Sequence, residues 1–416
     1  MYSRAQRWTV LLATLALVAT LPLAGASPTA KPEDVGMSSD RLQQVNALMR
    51  RNIEAQTFAG AVTLVARHGR VAHLQAHGVM DLESRRPMQT DAVFRIMSMT
   101  KPIVGVAVLM MIEEGKVRLT DPASRFVPEL KGLKVAVPGT PQFSTVAADH
   151  DITVRELLTH TSGLVSGTIS SAEARAVALK PGERLADYLP RLAGVPLEFQ
   201  PGSRWGYSGL AGFDLLARIV ELSSGQPFDQ FLKNRIFEPL GMSDTFFAPV
   251  DGHPRLATAY RRADDGALVR QTNPNFLNGS YFSGGGGLMS TAEDYFQFGQ
   301  MLLNGGQLNG KRLLSPRSVE VMRSVFVPDT LPGRAAGEGF GLSVRVVSNP
   351  QARNTFLSQG SFGWSGAYGT HFWVDPKEKI VAILMIHTPA QQARADFESA
   401  VAHAVVEPVP ASLGTH

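Results

Sequence analysis

The chain has no cysteine among its 416 residues. That absence excludes disulfides, thiolate zinc sites, iron–sulfur clusters and a thiolate nucleophile. Runs of basic residues are missing too. Forty Lys and Arg against 36 Asp and Glu leave a formal charge of only +4, and two of the cations, Arg4 and Arg7, fall in a leader-like segment. With no basic stripe, no nucleic-acid partner is expected. No Gly-x-Ser-x-Gly is present: Gly363-Trp-Ser365-Gly-Ala367 comes nearest and fails at its last position, so the strained strand-to-helix nucleophile turn has no support. Without Gly-Lys-Ser/Thr, the glycine run Gly284 to Gly287 is no phosphate cradle and reads as a loop, open to a role as a mobile rim. His73 and His77 are four apart, as on a metal-binding helix face, yet they lie in a strand-like run with no His-x-His-x-Asp nearby. No metal and no other cofactor are therefore expected.

The apolar content, 44%, is ample for a sizeable core, and the length allows one large or two ordinary domains. Arg4 and Arg7, an apolar stretch from Trp8 to Ala24 and the small residues Ala24-Gly25-Ala26 form the pattern of a cleaved export signal over residues 1–26. The stretch is shorter than the ~20 residues a spanning helix needs, so no stable membrane span is expected after cleavage. With no cysteine at the processing site, lipidation there is excluded. An exported chain without disulfides fits a bacterial periplasm or the external medium.

Apolar spacing organises the remainder. Leu42, Val45, Leu48 and Met49 predict a helix over 39–55, and Gly60 to Arg67 with Val71 to His77 read as a hairpin turning at His68-Gly69-Arg70. A helix is expected from Ser98 to Ile112, with Pro102 tolerated in its first turn. Phe213, Leu216, Ala217 and Val220 line one later helix that ends before Gly225; Phe228, Phe231, Leu232 and Ile236 line another that ends before Gly241. Ser290-Thr-Ala-Glu293 has the form of a capping box before Tyr295, Phe298 and Leu302. Strands return at 341–347, 370–374 and 380–386, with a closing helix over 397–406 and a flexible tail over 407–416. The expected fold class is α/β (α+β): an antiparallel sheet flanked by helices, from about 40–95 and 335–406, with an all-helical part inserted over about 96–334.

Among ten lysines, only Lys101 has a serine three residues before it, Ser98. A serine hydroxyl is a poor nucleophile until a base takes its proton, and residues three apart on a helix share a face. For Lys101 to act as that base, its ammonium must be disfavoured, by the apolar neighbours Met97, Met99, Pro102 and Ile103 or by the positive end of the helix dipole.

Several separated segments carry a resemblance: Phe94-Arg-Ile-Met-Ser-Met-Thr-Lys101; Ile152-Thr-Val-Arg-Glu-Leu-Leu-Thr-His-Thr-Ser-Gly-Leu164; Phe199-Gln-Pro-Gly-Ser-Arg-Trp-Gly-Tyr-Ser208; Ile236-Phe-Glu-Pro-Leu-Gly-Met-Ser-Asp-Thr245; and Gly363-Trp-Ser-Gly-Ala-Tyr-Gly-Thr370. In this order, spanning Asp40 to Thr388, they resemble the serine β-lactamase-like or penicillin-binding superfamily, in particular its class C β-lactamase and β-lactamase-fold carboxylesterase branch. The resemblance implies an α/β domain beside a helical one with the site in the cleft between them. It implies that Ser98 is acylated, that Lys101 helps to activate it, and that Tyr207, at the position of Tyr-x-Asn, shuttles a proton. The backbone N–H groups of Ser98 and Ala367 would hold the oxyanion, being fixed before charge develops. Ser208, Gly209, Trp364, Ser365 and Gly366 would line the substrate, and His160 would serve a structural hydrogen bond.

Two departures narrow the reading. Where the family has Asn to hold an amide, Gly209 has no side chain. Where it has Lys or His in the third motif, Trp364 offers an aromatic face, a pattern associated with the esterase branch. β-Lactams and peptidyl-D-alanine both present an amide and an anion, so hydrolysis of small neutral esters is the favoured expectation. A β-lactamase or D-alanyl-D-alanine carboxypeptidase of the same fold is the alternative; acyl transfer to another acceptor uses the same intermediate. A non-catalytic envelope protein that binds or regulates is the remaining class. The sequence leaves the oligomeric state open.

Overall fold

The computed structural model describes residues 27–139, 142–247, 252–272, 274 and 279–408. The leader expected over 1–26 and all but Glu407 and Pro408 of the expected tail lie outside the described residues. After helix α1 (Ser39–Glu54) come strands β1 (Gly60–Arg67) and β2 (Arg70–Asp81) and a short edge strand β3 (Arg86–Pro87). Helix α2 (Thr100–Glu113) opens the central region, which also contains α3 (Ala211–Ser224) and α4 (Ala292–Leu303). The chain then supplies β4 (Glu338–Phe340), β5 (Arg345–Val347), β6 (Phe362–Ser365), β7 (His371–Asp375), β8 (Ile380–Ile386) and α5 (Gln391–Ala404).

These strands form one antiparallel sheet in the order β4-β5-β6-β7-β8-β1-β2-β3. Its first and last segments meet where β1 pairs with β8, Thr63 opposite Leu384. Side chains alternate across the pleat. Ala61, Val65, Trp373, Ala382, Leu384 and Ile386 face an outer layer that includes Leu48 and Met49 of α1 and Phe397 and Val401 of α5. Val62, Leu64, Phe372, Val374, Val381 and Ile383 face inward and join a second core with α2, α3 and α4. Every residue of α2 from Thr100 to Met111 is buried. A helix apolar on all sides has to be enclosed by others, and α2 is the central post between sheet and helical part.

The hairpin and most helices form where the apolar spacing places them, and the run from Phe228 to Leu240 is continuous but loosens into a π-turn at Lys233–Phe237. Four expectations change. Residues 341–347 do not make one strand: Leu342 N–H bonds to Met322 O and Ser343 N–H to Leu158 O, so the chain turns toward the helical part before β5. Gly105 on α2 admits this turn, since a Cβ there would overlap the Ser343 side chain. The cap of α4 sits one residue later than the sequence pattern suggests: Thr291 Oγ1 accepts from Asp294 N–H, while Ser290 ends a short bridge strand. The closing helix begins at Gln391, six residues before its apolar stripe announces it. The inserted part is also not all helical, because it carries small hairpins such as Lys134–Val137 with Ser144–Ala147 and Tyr260–Arg262 with Leu268–Arg270.

Buried histidines make the fold acid-sensitive. Burial pulls His73 and His371 down to about 4, and His387 down to about 3. Each accepts or donates as neutral imidazole: His73 Nε2 meets Thr63 Oγ1 at 2.8 Å, which His77 also contacts, and His387 bridges Arg95 N and Ala257 O. Because the unfolded chain binds these protons near pH 6.5 and the folded chain does not, stability is complete above that pH and falls between pH 6.5 and 4. The expected loss is roughly 1–2 kcal/mol per histidine by pH 5. Urea melts at pH 7 and pH 5 measure it, and equal midpoints would contradict the assignment.

Candidate active site

Ser98 lies in a 3-10 turn, Met97–Met99, that leads directly into α2. Met97 is in the left-handed region, φ +47°, a conformation that costs free energy in a residue with a side chain and is found preferentially at functional sites. The turn is tied down on several sides: Tyr295 of α4 donates to Met99 O at 2.7 Å, Ile96 N–H donates to Leu288 O, and Leu288 N–H donates to Thr100 Oγ1. Lys101 is in the first turn of α2 and is 1% exposed. Its Nζ donates to Ser98 Oγ at 3.1 Å and to the carbonyls of Gly209 and Gly285, both at 2.6 Å.

Those three acceptors match the three N–H bonds of an ammonium. The sequence reading expected an apolar wall around Lys101, and the structure instead supplies two carbonyls. Tyr207, on the loop before α3, donates its hydroxyl to Ser98 Oγ at 2.7 Å, with Lys101 Nζ 5.0 Å from its ring centre. Burial would raise the Tyr207 phenol, but the Lys101 charge and hydrogen bonds with Ser98 and Lys101 outweigh it and hold the pKa below 10. The structure therefore brings Ser98, Lys101 and Tyr207 together, with the phenol and the amine both donating to Ser98 Oγ.

His160 supports this loop. Its Nδ1 accepts from Ser208 N–H, its carbonyl accepts from Gly206 N–H, and its ring packs 4.6 Å from that of Tyr207. Burial, then the nearby Lys101 charge, keeps it neutral. The structural role expected for it fits these contacts. Ser208, expected at the substrate, is buried, and its Oγ accepts from Gly212 N–H to begin α3, so it serves the helix and not the cleft. Gly209 is exposed, and a Cβ there would meet nothing within 4 Å.

The third motif, Trp364-Ser365-Gly366, sits at the end of β6. β5 pairs only with Phe362 and Gly363, leaving Trp364 and Ser365 beyond that ladder. Trp364, paired with Phe372, is on the inner face, 5.6 Å from the Tyr207 ring and 5.2 Å from Phe340. With Trp205, 6.1 Å from Tyr207, these rings make an aromatic wall. Ser365 pairs with His371 and points to the α5 side, where it meets His371 Nδ1 at 2.9 Å and accepts from Arg394 at 2.9 Å; it does not line the aromatic wall. Gly366 is wedged against Ile96 O, too close for any Cβ, which brings the exposed Ala367 turn beside the backbone that leads into Ser98.

Sequence reasoning missed several participants. Trp205 stands within the Phe199–Ser208 segment but is not singled out there, and Arg394 carries no motif. Asp214, on α3, stood between Phe213 and Leu215 in an apolar run, which was the only available signal. The Gly284–Gly287 run is no mobile rim among the described residues: it is buried, with Gly284 against Phe213 O and a Gly285 Cβ position 2.6 Å from Leu210 Cα. Glycine is required there by the close approach of α3.

The chain matches the family model described as Beta-lactamase over residues 45–405. It is 37% identical over 365 residues to an uncharacterized protein of Mycobacterium tuberculosis, covering 82% of this chain and 89% of that one. It is 31% identical over 405 residues to Esterase EstB of Burkholderia gladioli, covering 88% and 94% of the two chains. Among solved structures it resembles EstCE1, described as a hydrolase with promiscuous acyltransferase activity, with a TM-score of 0.74, 27% identity, and coverage of 88% of this chain and 98% of that one.

Proposed function

Because the chain belongs to the β-lactamase family, we propose that this serine hydrolase forms its acyl-enzyme on Ser98 and acts on small neutral esters. One observation carries the reading: a buried serine oxygen lies 2.7 Å from a phenol of lowered pKa and 3.1 Å from an ammonium. Ionised Tyr207 accepts the Ser98 proton as Ser98 Oγ bonds to the ester carbonyl carbon. The oxyanion then faces the Ser98 and Ala367 N–H groups. Collapse breaks the bond to the alkoxide, which takes the proton back from Tyr207 and leaves the acyl group on Ser98. Water repeats the sequence in reverse order and releases the acid. Lys101 Nζ, held by the Gly209 and Gly285 carbonyls, donates to Ser98 Oγ and orients it.

The substrate class rests on what lines the cleft. Gly209 provides no amide contact, and Trp364 and Trp205, backed by the buried Phe340, provide flat apolar surface. The Arg394 cation is held by Ser365 on the α5 side of β6. Similarity to a protein named an esterase points the same way, and the name of EstCE1 supports a second reading in which an alcohol, not water, accepts the acyl group. The leader pattern supports export, to a bacterial periplasm or the medium. Among the described residues no helix is long and apolar enough to cross a membrane.

Intact-mass analysis with an activated aryl ester, a fluorophosphonate and a penicillin tests the reading. One acyl adduct from the ester, a burst of alcohol release and fluorophosphonate labelling at Ser98 are expected. Faster turnover of a chromogenic cephalosporin than of any ester would overturn the ester assignment. The open space at Gly209 gives a further prediction. Gly209→Asn with Trp364→Lys restores the amide and anion contacts, each a hydrogen bond to a charged or polar group worth ~1–3 kcal/mol. Cephalosporin kcat/KM should rise at least tenfold while ester turnover falls; no gain would show that other features exclude β-lactams.

A further inference from the structure

The Lys101 ammonium is held by a carbonyl, Gly285 O, on a loop that belongs to neither α2 nor the Tyr207 loop. That loop is itself fixed by one buried carboxylate. Asp214 of α3, 1% exposed, accepts from Ser283 Oγ at 2.7 Å, Tyr281 OH at 2.8 Å and Gly285 N–H at 2.9 Å. Burying a carboxylate is costly unless its lone pairs are filled, and three donors from one five-residue stretch fill them.

We propose that Asp214 is a positioning residue for catalysis: by clamping the 281–285 loop onto α3 it fixes the Gly285 carbonyl that holds Lys101 against Ser98 and Tyr207. The geometry is a chain of short bonds from the carboxylate to the Gly285 amide, then through that residue's own carbonyl to Nζ, and from Nζ to Ser98 Oγ. The other carbonyl on Nζ, Gly209 O, lies one residue before Leu210, which leads into α3. Asp214 therefore sets the relative position of both carbonyls. A hydrophobic residue of similar size would pack in the helix, but nothing would then draw the loop inward. The inference rests on the acyl-enzyme reading for its kinetic consequence, though not for its structural one.

Asp214→Asn in the full chain tests it through the ionisation of Tyr207, read as phenolate absorbance after subtraction of the matching Tyr207→Phe protein. The groups that act on this centre besides Lys101 are Tyr281, Tyr188 and Arg191 around Asp214, and His160 and Arg334 beyond Tyr207. None of them is altered. If Asp214 only supplied negative charge, its removal would lower the Tyr207 midpoint, because Lys101 would be less compensated. If it positions Lys101, the ammonium drifts from the phenol and the midpoint rises, with acylation near neutral pH roughly tenfold slower and KM little changed. A folded Asp214→Asn protein whose midpoint stays or falls overturns the inference. Tyr281→Phe and Ser283→Ala, which each remove one clamp bond, should shift the midpoint upward by less, and they decide the sign should Asp214→Asn not fold. The titration needs no turnover, so a wild type without an acyl burst would count against ester hydrolysis while leaving this test intact.

Discussion

Ser98→Ala is expected to abolish covalent labelling by fluorophosphonate and to lower ester kcat/KM by on the order of 10⁴-fold or more. The reason is chemical. The residue's Oγ is the atom that Tyr207 and Lys101 both contact, and neither can substitute for it as a nucleophile once the oxygen is gone. Stability should change little. Ser98 is 9% exposed and in a turn fixed by backbone and Tyr295 contacts that do not involve its side chain. Lys101 keeps its two carbonyl acceptors, so no buried cation is orphaned and the penalty stays within about 1–2 kcal/mol. Thermal melts of both proteins separate lost chemistry from lost fold. Activity within tenfold of wild type in a correctly folded Ser98→Ala protein would remove Ser98 from the mechanism.

The parts of this arrangement legible in the sequence are those set by short-range rules. Ser98 and Lys101 are three residues apart, so helical geometry alone brings them together. The hairpin at His68-Gly69-Arg70 follows from turn chemistry between two β-rich runs, and the sheet faces follow from alternation. Tyr207 and Trp364 were found through resemblance, because nothing local joins positions more than a hundred residues apart. The misreadings share a cause. At 341–347 the strand pattern is real, but Gly105 leaves a hollow on α2 that draws Ser343 out of the sheet. At 284–287 four glycines suggest mobility, whereas the run is buried and Gly284 and Gly285 lie so close to Phe213 and Leu210 that only glycine fits there. In both places the deciding contact is with an element far along the chain, and no window of sequence contains it.

The same limit hides what surrounds Lys101. Its apolar neighbours Met97, Met99 and Ile103 suggest a dry pocket that would discourage a charge. The two carbonyls that meet it come from Gly209 and Gly285, residues without side chains and thus without a sequence signature. Asp214 is silent for a related reason: a single acidic residue in an apolar helix means nothing until the loop it binds is in place.

Tyr207→Phe should lower ester kcat/KM by ~10²–10⁴-fold, the range for losing a positioned acid–base group. The ring is kept, so its packing on His160 and Trp364 survives and ground-state binding should hold. What disappears is the proton acceptor for Ser98 and the proton donor for the departing alkoxide. In the wild type the rate of acylation is expected to rise with pH as Tyr207 ionises, along a limb below the ordinary phenol value of 10 because the Lys101 charge and hydrogen bonds outweigh burial. In the variant that limb should vanish. An ester with a very good leaving group needs little protonation, so the deficit should shrink as the alcohol becomes more acidic, whereas a defect in binding or folding would be the same for every ester. Combining Tyr207→Phe with Ser98→Ala should add nothing, since both residues serve one proton transfer. A Tyr207→Phe protein with an unchanged pH limb and an equal deficit across leaving groups would assign the proton transfer elsewhere, with Lys101 as the group in reach of Ser98 Oγ.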